Sequence, residues 1–90
     1  MLEVLAEVFL NDEAPACIGG MGEALAGADL SSFAAYAHRL KGSALVFGAQ
    51  PLADECLAAE RCASPVDGER LLTAIETELA NVEAALRGAA

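Results

Sequence analysis

Aromatic side chains are few: the 90 residues include no tryptophan, one tyrosine and three phenylalanines. Rings cannot fill the core. With alanine supplying much of the 56% apolar fraction, the helices must approach closely and bury small side chains. Positive charge is also scarce. Five Lys and Arg stand against 14 Asp and Glu, giving a net charge of −9 and a pI near 4.2. That balance repels phosphate backbones and anionic lipid, which argues against nucleic-acid and membrane partners. No apolar run approaches the roughly 20 residues of a membrane span, and no basic region marks a signal peptide. The expectation is a cytoplasmic protein. Its three cysteines, Cys17, Cys56 and Cys62, form no CxxC pair, and there is a single histidine. A zinc site of the usual four ligands is therefore not expected, and the thiols read as reduced and buried.

Little alternates with period two and β-branched residues are few, which excludes strands of useful length. Helical spacing is present almost everywhere. Residues 2–10 form a short apolar helix. Asn11 or Asp12 can cap the next, which carries Pro15 in or near its first turn and repeats Ile18, Met21, Leu25 and Ala28. Gly19, Gly20 and Gly22 lie inside it, so it is either frayed or close to a neighbour. Asp29 or Ser31 can cap a third helix that ends near Gly48. Pro51 begins a fourth, striped by Leu52, Cys56, Ala59 and Ala63. Ser64 with Pro65 and Asp67 starts the last, striped by Leu72, Ile75, Leu79, Val82 and Leu86. The connections are short, so successive helices should be antiparallel. The expected fold is all-α: one domain over residues 1–90, an up-down-up-down four-helix bundle with a short additional N-terminal helix.

His38 lies on the third helix. At about 100° per residue, Phe33, Tyr36, Ala37, Leu40, Ala44 and Phe47 form the apolar stripe, roughly 160° to 260° away from it. Ser31, Ala34, Ala35, Lys41, Gly42, Leu45 and Ala49 fall within about 60° of the histidine. The imidazole is thus set in solvent among small neighbours, where a bulky partner can reach it. If the hairpin turns near residue 49, Glu60 stands level with His38 on the next helix. Its carboxylate can accept a hydrogen bond from Nδ1–H, leaving the Nε2 lone pair as a nucleophile. The weaker alternative is that Glu60 is merely a solvated charge.

Lys41, one turn on, can neutralise part of a phosphoryl group on the ring. Arg39 and Arg61 lie near the same level, making a patch of local positive charge in an acidic chain. Gly42 is unfavourable inside a helix, and its position beside an exposed histidine suggests that clearance is needed there. Ala34, Ala35, Leu45 and Ala49 would extend the contact surface. Ser43 points less directly at the site and reads as a packing residue.

HRLKGSALVFGAQPLADECLAAE, residues 38–60, resembles the pattern HxLKGS…GA..L…C..LE of the histidine-containing phosphotransfer (HPt) domains. FLNDEAP and EALAGADLSSFAAYA upstream resemble the family's approach to that motif. The resemblance implies an antiparallel four-helix bundle of a two-component phosphorelay. It maps the phosphorylated residue to His38, the supporting lysine to Lys41, the clearance glycine to Gly42 and the motif's second glycine to Gly48. Family members commonly carry Gln or Glu at the position of Glu60. The chain departs from the pattern in its bulky Leu45 and its glycine-rich second helix.

The mechanism implied is reversible transfer from a receiver-domain aspartyl phosphate to Nε2 of His38, with Mg²⁺ on the partner and no cofactor or metal in this chain. No nucleotide-binding loop occurs in the sequence, so the expectation is a phosphocarrier rather than a kinase. The implied partners are response-regulator receiver domains and a histidine kinase, with no nucleic acid or membrane, and a monomer is the default. Alanine richness suggests a bacterial source. Two other readings are an HPt domain phosphorylated directly by a chemotaxis-type or hybrid kinase, and an adaptor that binds without accepting phosphate. The short chain with no kinase portion suits a stand-alone shuttle; an excised domain would read the same.

Overall fold

The apolar 3,4 spacing is realised as helices. In the computed structural model, which describes residues 2–88, the elements are α1 (Leu2–Val8), a π-helical turn (Phe9–Glu13), α2 (Ala14–Ala26), α3 (Leu30–Val46), α4 (Gln50–Glu60) and α5 (Pro65–Gly88). There is no strand among the described residues. α3 packs against α2 and α4, and α5 closes the bundle against both of those helices. Phe33, Met21, Leu40, Leu52 and Ile75 are fully buried at its centre, together with Cys17, Cys56 and several alanines. Burying each large side chain is worth about 1.5–3 kcal/mol.

The expected separate N-terminal helix is instead the first segment of an unbroken helical run. Neither Asn11 nor Asp12 caps anything: Val8, Glu13 and Ala14 all have right-handed helical dihedrals, and the Ala14 N–H bonds to the Phe9 carbonyl across five residues. Pro15 accounts for this. It lacks the N–H that would reach Asn11, and its ring would collide with that carbonyl in a regular α-helix. Widening the preceding turn to π geometry relieves both problems without ending the helix. Arg87 of α5 pins the widened turn, donating to Asn11 Oδ1 at 3.0 Å.

The other helix ends follow their sequence signals. Asp29 caps α3, accepting from the Ser32 N–H at 3.0 Å and the Ser32 hydroxyl at 2.6 Å. Ser64 Oγ accepts the Asp67 N–H at 3.2 Å at the start of α5. At the end of α3, Gly48 is left-handed (φ 67°), and the N–H groups of Gly48 and Ala49 return to Leu45 and Ala44. This is the paired-bond turn that sets the α3–α4 hairpin. The same turn ends α2, but there the left-handed residue is Ala28 (φ 54°). A Cβ in that conformation is strained. Ala28→Gly should therefore stabilise the protein by about 0.5–1 kcal/mol after allowing for glycine's extra chain entropy. Thermal denaturation would register this as a rise of a few degrees in Tm, and a fall would remove the strain argument.

Three packing details differ from the periodic reading. A Cβ at Gly20 would strike the Tyr36 ring, so the glycine-rich helix is in close approach to α3 there rather than frayed. On α5 the buried face is Gly68, Leu71 and Ile75, while Leu72, Leu79 and Val82 pack partly buried at its edge. Gly68 permits this, since Leu25 and Phe33 occupy the space a side chain would need. Ala63 is exposed and Cys62 only half-buried, because α4 ends at Glu60 and helical spacing no longer applies beyond it.

Candidate functional site

α3 turns its buried face, Phe33, Ala37, Leu40 and Ala44, into the bundle. His38 then lies outside, with 69% of its side chain exposed. Because the Gly48 turn is tight, α4 returns beside α3 and brings Glu60 across. Glu60 Oε1 is 2.9 Å from His38 Nδ1, and Oε2 is 2.6 Å from Lys41 Nζ. Oε2 is buried and lies off the ideal hydrogen-bond angles, so its contact with Lys41 is chiefly an ion pair. Burial pushes the Glu60 pKa up, but the Lys41 ammonium and the His38 ring outweigh it and hold the carboxyl below its ordinary value of 4.5. An ionised carboxylate can only accept, so Nδ1 carries the proton and donates. In the neutral ring the Nε2 lone pair is left free. An exposed imidazole held in this tautomer is a nucleophile.

Lys41 is half-buried and directs its ammonium at Glu60, not into solvent. Gly42 is exposed, and a Cβ built there meets nothing within 4 Å. No packing inside the chain requires a glycine at that position. Ala35 and Leu45 are exposed and Ala34 half-buried on the same helix. Ser43 is half-buried and its hydroxyl donates back to the Arg39 carbonyl at 3.5 Å. Gly48 serves the turn.

Two residues expected on the contact surface are placed otherwise. Ala49 is buried, 8% exposed. It was positioned by extrapolating the helix, but α3 ends at Val46 and the chain folds inward at the turn. Arg39 is exposed but committed: its guanidinium grips Glu13 with two bonds, 2.8 and 3.1 Å. That grip holds the Glu13 carboxyl below its ordinary value. Sequence reasoning missed Glu13, because its partner Arg39 lies on another helix 26 residues away. Pro15 within a helical pattern was the available signal.

Cys17 and Cys56 lie in the core, and burial pushes their thiols up to about 11 and about 12. Both are protonated at neutral pH and not nucleophilic. Among the described residues no three His, Cys, Asp or Glu side chains converge as metal ligands, and no helix is long and apolar enough to cross a membrane.

The Glu60 carboxyl, depressed in the folded state, contributes stability that is full above about pH 4.5 and is lost as the pH falls through the lower folded value. Denaturant titrations over that window should show Glu60→Gln losing less stability than the wild type. Equal losses would mean the carboxylate is not stabilised by its two partners.

Residues 4–85 match the family model described as the Hpt domain, nearly the whole chain. Comparison with curated proteins and with solved structures returns no match.

Proposed function

We propose that this chain, which belongs to the Hpt domain family of histidine phosphotransfer in phosphorelays, takes a phosphoryl group onto Nε2 of His38 from a receiver-domain aspartyl phosphate and hands it to another receiver. The observation that carries the reading is the exposed ring whose Nδ1–H is tied to the ionised Glu60, leaving Nε2 free. The Nε2 lone pair attacks phosphorus in line with the departing aspartate oxygen. The N–P bond forms, the P–O bond breaks and the carboxylate leaves with its electron pair. Glu60 meets the positive charge that develops on the ring. Lys41 holds Glu60 in place and supplies the positive charge nearest the site. Both phosphorylated species are high in energy, so the step runs in either direction according to the next acceptor. Most of the charge on the transferring group is neutralised by the receiver's Mg²⁺ and lysine.

The reading takes the whole chain as one domain, a monomer, with its helices antiparallel in up-down-up-down order, as the short connections favour. Radiolabelled phospho-receivers incubated with the wild type should yield an acid-labile, base-stable label on it. Absence of label from every receiver, with label from a histidine kinase and ATP, would replace the receiver as donor.

Gly42 separates clearance from folding. Gly42→Ala should stabilise α3 by about 0.5–1 kcal/mol, since alanine fits and is the better helix former. Gly42→Gln should also fold, yet slow transfer from a phospho-receiver about tenfold or more by standing in the partner's path. Transfer at the wild-type rate by Gly42→Gln would remove the clearance role.

A further inference from the structure

One carboxylate of α4 serves two side chains of α3, and it does so with different oxygens. Glu60 Oε1 accepts from His38 Nδ1 at 2.9 Å, while Oε2 lies 2.6 Å from Lys41 Nζ. Oε2 is buried without a hydrogen-bond partner among the described residues, so the Lys41 ammonium is what meets its charge. Lys41 is drawn inward to do this, with 23% of its side chain exposed against 69% for His38.

A phosphoryl group on Nε2 would sit away from that pair. The two nitrogens of an imidazole point to opposite sides of the ring. Fixing Nδ1 against Glu60 therefore turns Nε2 away from the carboxylate and from the ammonium bound to it. For Lys41 to follow the phosphoryl group, it would have to leave Oε2 buried, charged and unpaired, an arrangement that is strongly unfavourable. Arg39, beside His38 in sequence, does not stand in for it at Oε2, since its guanidinium holds Glu13.

We infer that Lys41 is a positioning residue, which acts on phosphoryl transfer only through Glu60 and does not touch the phosphoryl group. This rests on His38 being the phosphoryl acceptor, and it departs from the direct charge neutralisation that the spacing of the two residues suggests. The ammonium does two things for the carboxylate. It fixes Oε2, so that Oε1 stays on the ring, and it keeps the carboxyl ionised against the burial that opposes it. The groups facing the carboxylate are Lys41 and His38 from α3 and, on its own helix, the Cys56 thiol, which burial keeps neutral. An ionised Glu60 retains the Nδ1 proton in both directions of transfer. When Nε2 attacks phosphorus, the ring becomes a phosphoimidazolium whose charge the carboxylate meets. When the next aspartate oxygen attacks, the O–P bond forms, the N–P bond breaks and its electron pair returns to Nε2. With the proton on Nδ1 the ring departs as neutral imidazole; without it the leaving group would be an imidazolide anion. Lys41 thus supports the handing-on step as well as the accepting step, at one remove.

The experiment follows labelling of His38 by phosphoramidate, a phosphoryl donor that brings no protein surface, and onward transfer from the labelled chain to a receiver domain. Lys41→Met, Lys41→Arg, Glu60→Gln and the double variant Glu60→Gln with Lys41→Met are compared with the wild type across about pH 5 to 8. Circular dichroism checks the fold. Methionine keeps much of the packing of the lysine stem and removes the charge. Lys41→Met should slow both reactions about three- to fivefold at neutral pH, and on acidification its rate should fall away at a higher pH than the wild type's, as Glu60 takes up a proton. Lys41→Arg still offers Oε2 a cation and should recover most of the rate. In the Glu60→Gln background, Lys41→Met should change either rate by less than about twofold. Equal slowing in both backgrounds, with an unshifted pH profile, would mean that the ammonium meets the phosphoryl group itself; it overturns the inference and leaves His38 as acceptor. A Lys41→Met rate equal to the wild type at every pH overturns it as well. Should the double variant not fold, the pH profile of Lys41→Met decides alone. If phosphoramidate labels a residue other than His38, or none, the acceptor reading fails and this inference with it.

Discussion

His38→Gln should abolish phosphoryl acceptance, with no acid-labile label above background, while leaving thermal stability within about 0.5 kcal/mol of the wild type. The ring is largely in solvent and its one hydrogen bond is to Glu60, so a glutamine loses little packing. A glutamine amide can even donate to Glu60 in place of Nδ1–H. What it cannot supply is a nitrogen lone pair capable of attacking phosphorus, because that pair is delocalised into the carbonyl. The two readouts, label and melting temperature, therefore separate completely. Label surviving on His38→Gln would place the acceptor elsewhere, and binding of a partner without label on the wild type would leave an adaptor.

The second large effect is expected from Glu60→Ala. Removing the carboxylate takes the acceptor from Nδ1–H and strands the half-buried Lys41 ammonium. The stability cost should be about 1–2 kcal/mol, towards the lower end of the roughly 1.5–3 kcal/mol for hydrogen bonds to charged groups, because the His38 ring is largely in solvent. Transfer should fall more steeply, about ten- to a hundredfold, the scale seen when the group orienting a metal-ligating imidazole is removed. The free ring can then adopt either tautomer and rotate away from the attack line. Glu60→Gln should fall between, since its amide oxygen still accepts from Nδ1 but carries no charge to meet the developing imidazolium. Lys41→Ala should slow transfer less than either loss, because Glu60 keeps its bond to the ring. Rates for Glu60→Ala equal to the wild type would reduce Glu60 to a structural ion pair.

Much of the geometry rests on signals that were local in sequence. The mid-helix His38 needed only its 3.6-residue period against Phe33, Ala37 and Leu40 to be placed outside the bundle. Gly48, the single left-handed glycine of the α3–α4 turn, made the hairpin tight enough for equal rise on both helices to bring Glu60 beside His38. Arg39 was legible as a cation on this face but not as Glu13's partner, and Ala49 was misplaced by one turn of helix too many.

What the sequence by itself determined, then, is the helical class, the cap at Ser64, the choice of Asp29 or Ser31 for α3, and the turn that puts a carboxylate level with the histidine. Each follows from spacing along one or two adjacent helices, where backbone geometry leaves few choices. Only the tertiary structure decided how the N-terminal run enters the bundle. Pro15 could be accommodated either by ending one helix and capping the next or by widening a turn, and both satisfy the local chemistry. The choice lies with contacts far apart in the chain: Phe9 against Phe47, Glu13 against Arg39, and Arg87 against Asn11. Those long-range contacts fix the N-terminal run against the bundle, because no local pattern specifies which side chains find partners once the helices are packed.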